Sequence, residues 1–160
     1  MRKVVKLTES DLNRIVKRII NEQNNQNLVT AMYRIVYVND MRRETVPDAI
    51  KTCTKFGIRP TTMSNEIAKN INKGITYKTG GFLGGTDEEG VYNQFNSIKS
   101  TQQFCEVAAS YQQMFKESLW DAIDGDFDGN SLDFFAKKLY NLSLSEYKKM
   151  VPQTTPTPSK

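Results

Sequence analysis

The chain has 160 residues, 38% hydrophobic and 25% charged, with a formal net charge of +4 and no histidine. That length is one domain's worth, and the balance is that of a globular protein. No apolar run approaches the roughly 20 residues that a membrane-spanning helix needs, and the opening residues do not read as a secretory signal. Without histidine the commonest general base and metal ligand is missing, which removes most nucleophile–base triads and zinc sites. Cys53 and Cys105 do not make a disulfide framework and read as buried free thiols on apolar helix faces. Charge is unevenly placed. The first 22 residues carry six Lys or Arg against three acids, and the remainder 16 against 15. The body is therefore nearly neutral, and specific nucleic-acid binding is not expected.

In chain order, Thr8 and Asp11 make a capping-box-like start. Leu12, Ile15, Val16, Ile19 and Ile20 then form one apolar stripe, with Arg14, Lys17 and Arg18 opposite. This basic amphipathic leader spans residues 1–22, and the Gln/Asn run at residues 23–27 reads as a polar tether. Residues 28–38 are apolar and β-branched. Periodicity does not separate helix from strand there, but the lack of partner strands favours helix.

Thr45 and Asp48 cap the next helix, with Pro47 in its first turn, Ala49, Ile50, Cys53 and Phe56 inward, and Gly57 as its stop. Ser64 opens another helix, with Ile67, Ala68 and Ile71 inward and Gly74 ending it. Residues 75–78 read as extended and lead into a glycine-rich turn at residues 80–85. Thr86 is the expected N-cap of the following helix, with Asp87, Glu88 and Glu89 in its first turn and Val91, Tyr92, Phe95 and Ile98 at helical spacing. A helix from Thr101 carries Phe104, Cys105, Ala108, Tyr111, Met114 and Phe115. Ser118 starts a short one with Leu119, Trp120 and Ile123, and another holds Leu132, Phe135, Ala136 and Leu139. Ser143 or Ser145 opens a last short helix with Tyr147 and Met150, and residues 152–160 form a disordered Pro/Thr tail. No stripe can be buried alone, so the helices must pack on one another.

Several patterns carry chemistry. Asp124, Asp126 and Asp128 fall at positions one, three and five of an EF-hand loop, with Gly129 at six and Asn130 at seven. Position twelve, where a bidentate Glu belongs, is Phe135. The plain reading is a solvated turn whose acids cap the next helix. The sharper one is a millimolar calcium site at Asp124, Asp126, Asp128 and Asn130, and no other cofactor is expected. The glycine turn has no Lys after Thr86 and three acids that repel phosphate, so it is not a P-loop. Glu88 and Glu89 are adjacent and face different ways on a helix, which excludes a glycosidase pair. Trp120 and the other aromatics, at helical spacing, are core residues first. An enzyme is not expected.

Two resemblances add to this. The run Gly84-Gly85-Thr86-Asp87-Glu88-Glu89, the aromatic pair Tyr111 and Phe115, and the set Leu119, Ile123, Gly125 and Phe127 resemble one annexin-type repeat over residues 80–142. The resemblance implies a four-helix unit. The carboxylate that completes an annexin calcium site aligns with Ala122, so fold is implied rather than calcium-dependent lipid binding. At the other end, KLTESDLNRIVKRIINE resembles the leaders of small phage proteins. Ile20-Asn21-Glu22 is similar to the cleavage rule of prohead proteases in T-even-type tailed bacteriophages, which cut after a Glu preceded two residues earlier by Leu or Ile.

The expected architecture is thus all-α. It comprises a leader at residues 1–22, a tether at 23–27, a compact helical bundle at 28–151 with an annexin-like half, and a tail at 152–160. The expected function is a non-enzymatic bacteriophage virion protein, made in the host cytoplasm. It would dock to other virion proteins through Leu12, Ile15, Val16, Ile19 and Ile20, with Ile20 and Glu22 marking a candidate cleavage site. The alternative is a calcium- or surface-binding module at a membrane or cell wall. Membrane contact by the leader is not expected, because it is short and lacks Trp or Phe anchors.

Overall fold

A computed structural model describes residues 8–38, 43–77 and 85–151. Residues 1–7 of the leader, the glycine turn at 80–84 and the tail at 152–160 lie outside the described residues. Among the described residues 84% are helical and none forms a strand, as an all-α fold requires. The elements are α1 (Glu9–Val38), a 3-10 turn (Arg43–Thr45), α2 (Val46–Lys55), α3 (Thr62–Ile75), α4 (Glu88–Ser97), α5 (Thr101–Phe115), α6 (Leu119–Asp126) and α7 (Gly129–Met150).

The core is built around α5, which packs against α1, α2, α3, α6 and α7. Its stripe of Phe104, Cys105, Val107, Ala108 and Tyr111 is buried, and Leu28, Met32, Ala49, Ile67, Ile71, Trp120 and Leu139 join the same cluster. A helix enclosed this way brings polar atoms inside, and most of those atoms find partners, the buried Thr101 Oγ1 being an exception. Ser64 and Ser110 share a 2.8 Å hydroxyl contact between α3 and α5. The Tyr111 hydroxyl donates to Asn72 Oδ1 at 2.9 Å. Burial first, then the nearby Glu117 and Asp126, push that phenol up to about 12, so it remains a neutral donor at neutral pH. Glu146 on α7 accepts from the Thr101 N–H at 2.8 Å, placing a carboxylate on an orphan donor in the first turn of α5. Aromatic contacts close the far side: Tyr92, Phe95, Phe127, Phe134 and Phe135 pack edge-to-face or tilted except for the stacked pair Tyr92 and Phe135, and Tyr33 stacks on Tyr147 at 4.0 Å to join α1 to α7.

Five expectations are corrected. First, the break at residues 23–27 is absent, because α1 runs through them. Asn and Gln are middling helix formers, but the run contains no Gly or Pro. Leu28, Val29, Met32 and Val36 are buried and nucleate the helix, and each residue added behind them gains a bond at no nucleation cost. Second, Cys53 and Cys105 are not free thiols: they are disulfide-bonded between α2 and α5, with Cα atoms 5.1 Å apart. Two thiols on facing stripes at that separation are within bridging range. Third, Asp87 rather than Thr86 caps α4, accepting from Gly90 N at 3.0 Å. Its own N–H is fixed on the carbonyl of Gly74 at 2.9 Å, which sets the register of the helix start.

Fourth, α3 is capped by Thr61, with Ser64 completing a capping box from inside the helix; it runs past Gly74 to Ile75, a residue expected to be extended. Gly74 is there for proximity, since a Cβ on it would meet Val91 Cγ2 at 2.6 Å and the Asp87 carbonyl at 3.3 Å. Fifth, residues 143–150 are not a separate helix but the end of α7, whose buried Ser143 returns its hydroxyl to the Leu139 carbonyl at 3.0 Å. That local bond removes the competition with the backbone which a buried serine otherwise poses.

Two stability outcomes follow from the packing. Gly74→Ala drives a methyl into the branched side chain of fully buried Val91, so chemical denaturation should show a loss of about 1–3 kcal/mol with little change in slope. The disulfide closes a loop across 52 residues, so replacing both cysteines by alanine should cost about 4 kcal/mol in the same assay.

Candidate functional site

The most unusual surface lies on α1. At about 1.5 Å per residue its 30 residues make a rod about 45 Å long. Its start is fixed by reciprocal bonds: the Thr8 N–H donates to Asp11 Oδ2 at 3.1 Å, and the Thr8 hydroxyl oxygen accepts from the Asp11 N–H at 3.2 Å. The hydroxyl also donates to Asp11 Oδ2, at 2.6 Å. These bonds, the side-chain one foremost, hold the Asp11 carboxyl below the usual carboxylate range. Leu12, Ile15, Val16, Ile19 and Ile20 are between 43% and 55% exposed. Across the helix Arg14, Lys17 and Arg18 are exposed, and Arg18 Nε pairs with Glu22 Oε1 at 2.9 Å, a solvated contact of little energetic weight.

The exposure has a geometric cause. At 3.6 residues per turn the centre of the N-terminal stripe lies about 150° around the helix from the centre of Leu28, Val29, Met32 and Val36. Those four face the body and are buried. A straight α1 cannot put both stripes on one body, so the first is left outside it. Running back from Leu28, the body-facing side of α1 is continued by Asn25, Asn24 and Asn21. They line a cleft of about 440 Å³ of mixed character, shared with Leu28, Phe56 and Ile58 as well as Arg59, Thr61 and Glu106. Sequence reasoning missed this use of the polar run. The signal was available, because positions 21, 24, 25 and 28 share helical spacing.

The candidate cleavage residues Ile20 and Glu22 are both exposed, in the interior of α1. A protease takes its substrate extended, so cutting after Glu22 requires the helix to open locally. Among the described residues no helix is long and apolar enough to cross a membrane.

The structure does not bring the acidic turn together as a calcium loop. Asp124 and Asp126 occupy the last turn of α6, while Asn130 lies in the first turn of α7. Between them Asp128 is the N-cap of α7 and accepts from Ser131 N at 2.9 Å. The chain is spent on two helix ends rather than on a loop wrapping an ion. Among the described residues no group of three or more His, Cys, Asp or Glu side chains is placed to hold a metal. Hydrogen bonds from Ser131, that of its N–H first, hold the Asp128 carboxyl below the ordinary carboxylate range. Ala122 is buried and Asp121 beside it is exposed, in keeping with their neighbouring positions on α6.

A depressed folded-state pKa contributes stability that is present above the unfolded-state value and is lost as pH falls through the folded-state value. Comparing unfolding midpoints of the wild type and Asp128→Ala should therefore show a deficit in the variant at neutral pH. That deficit should shrink on acidification below the ordinary carboxylate range; a constant deficit would mean that the cap does not act through its charge.

No protein-family model, curated protein or solved structure matches this chain.

Proposed function

We propose that this chain is a non-enzymatic virion protein of a tailed bacteriophage, docked to other virion proteins through the first half of α1. The observation that carries the reading is the stripe of Leu12, Ile15, Val16, Ile19 and Ile20, exposed and turned away from the side of α1 that the body covers. Contiguous exposed apolar surface of this kind marks an interaction site. The matching partner surface is an apolar groove of the helix-in-groove type, which leaves Arg14, Lys17 and Arg18 on the opposite side of α1.

The resemblance of this segment to phage leaders, and of Ile20-Asn21-Glu22 to a prohead-protease site, gives the partner its setting. The protein is made in the host cytoplasm, enters the particle by its leader and is cut after Glu22. In this reading residues 80–142 are an annexin-like unit formed by α4, α5, α6 and α7, retained after processing. No specific observation favours the calcium-binding alternative, given where α6 and α7 place their acids.

Two measurements test the reading. Mass spectrometry of purified particles should find a mature N-terminus at Gln23, while an intact leader would remove the processing step. In Leu12→Ser/Ile19→Ser the body should unfold as in the wild type, because both side chains are exposed. Its incorporation into particles should fall by about tenfold or more, the scale of losing interface anchors. Undiminished incorporation would overturn docking through this face.

A further inference from the structure

The two cysteines of the disulfide are not equally enclosed. Cys105 is 0% exposed, inside α5, whereas Cys53 retains 4% on α2. Cys53 also lines an open groove of about 370 Å³ between α2 and α5, and Cys105 does not. The groove walls come from Ile50, Thr54, Ala109, Gln112 and Gln113, with Gly57 at its end adding no side chain. None of these carries a charge, and the hydroxyl and two amides offer hydrogen bonds to a peptide backbone.

We propose that this groove is an entry site for a small peptide thiol of the glutathione class, which exchanges with the disulfide at Cys53 Sγ. In thiol–disulfide exchange, access decides which sulfur is attacked. The incoming thiolate forms a bond to Cys53 Sγ as the Cys53–Cys105 bond breaks, and Cys105 leaves as a thiolate that takes a proton. A second thiolate attacks the small-molecule sulfur of the mixed disulfide. It releases the Cys53 thiolate, which is protonated in turn, and the oxidised dimer of the small thiol. Two small thiols are oxidised and one protein disulfide is reduced; run backward with the oxidised dimer, the same steps close the bond. The groove volume lies within the range of small-ligand pockets.

The consequence is a protein whose cross-link follows its surroundings. It is open where a thiol pool is reducing, as in a cytoplasm, and closed where it is not. This stands on the groove beside Cys53 and on the fuller burial of Cys105, and holds whether or not the chain resides in a particle.

The test uses the oxidised full chain in native buffer with reduced glutathione, quenched with an alkylating agent and mapped by peptide mass spectrometry. The glutathione adduct should fall on Cys53, with none on Cys105. Gln112→Trp, at an exposed position on the groove wall, should slow the exchange by about tenfold without moving the unfolding midpoint of the oxidised protein. Thr54→Trp, also exposed, repeats the test from the opposite wall. Adducts shared equally between the two cysteines would overturn the proposal. So would a rate unchanged in both Trp variants and rising with urea in step with the unfolded fraction.

Discussion

A helix surrounded by other helices has no water to satisfy its polar atoms, and α5 is in that position. Three bonds answer much of the problem, two from α3 and one from α7. Ser110 meets Ser64 and Tyr111 meets Asn72, both on α3, and the first turn of α5 receives the Glu146 carboxylate from α7. These contacts place α3 and the end of α7 on α5 more specifically than apolar packing does, because a buried hydroxyl or N–H tolerates only a narrow range of partner positions. The disulfide adds α2 to the same framework. Removing Asn72 or the Glu146 carboxylate would leave the Tyr111 hydroxyl or the Thr101 N–H without its partner, which costs more than the bond itself contributes. Ser64 and Ser110, by contrast, also bond the Thr61 and Glu106 carbonyls.

α1 belongs to this framework with its second half only. Its inner face, from Leu28 to Val36, completes the core, and Tyr33 stacks on Tyr147 to hold it against α7. Toward the N-terminus the same side turns polar, so the rod leaves the body at the asparagines that line the cleft. The apolar side then reappears rotated away. One helix thus has two wetting patterns, and the change between them marks where the body ends more sharply than any break in secondary structure.

Much of this was legible in the sequence. The helical spacing of Phe104, Cys105, Ala108 and Tyr111 gave α5, and the Leu12 to Ile20 stripe gave a face distinct from the core. Serine and aspartate caps at Ser118 and Asp128 were readable because short polar side chains before an apolar run have one obvious task. What was hidden depends on distance through space. Cys53 and Cys105 look like ordinary core residues until α2 is laid on α5. Gly74 looks like a helix stop until Val91 is seen against it. The run at residues 23–27 looks like a spacer because composition reports weak propensity, whereas continuity was decided by the neighbouring helix that was already nucleated. The acids of residues 124–128 matched half a calcium loop in one dimension and two helix ends in three.

The unbroken course of α1 has a mechanical side. With no joint between its free half and its packed half, whatever grips the first turns also sets the angle at which the rest is held, and a torque applied at Leu12 is felt at Tyr33. Copies gripped alike would stand in parallel, like spokes seated in one rim. A cut after Glu22 would abolish that alignment at a stroke, leaving each body free to tumble.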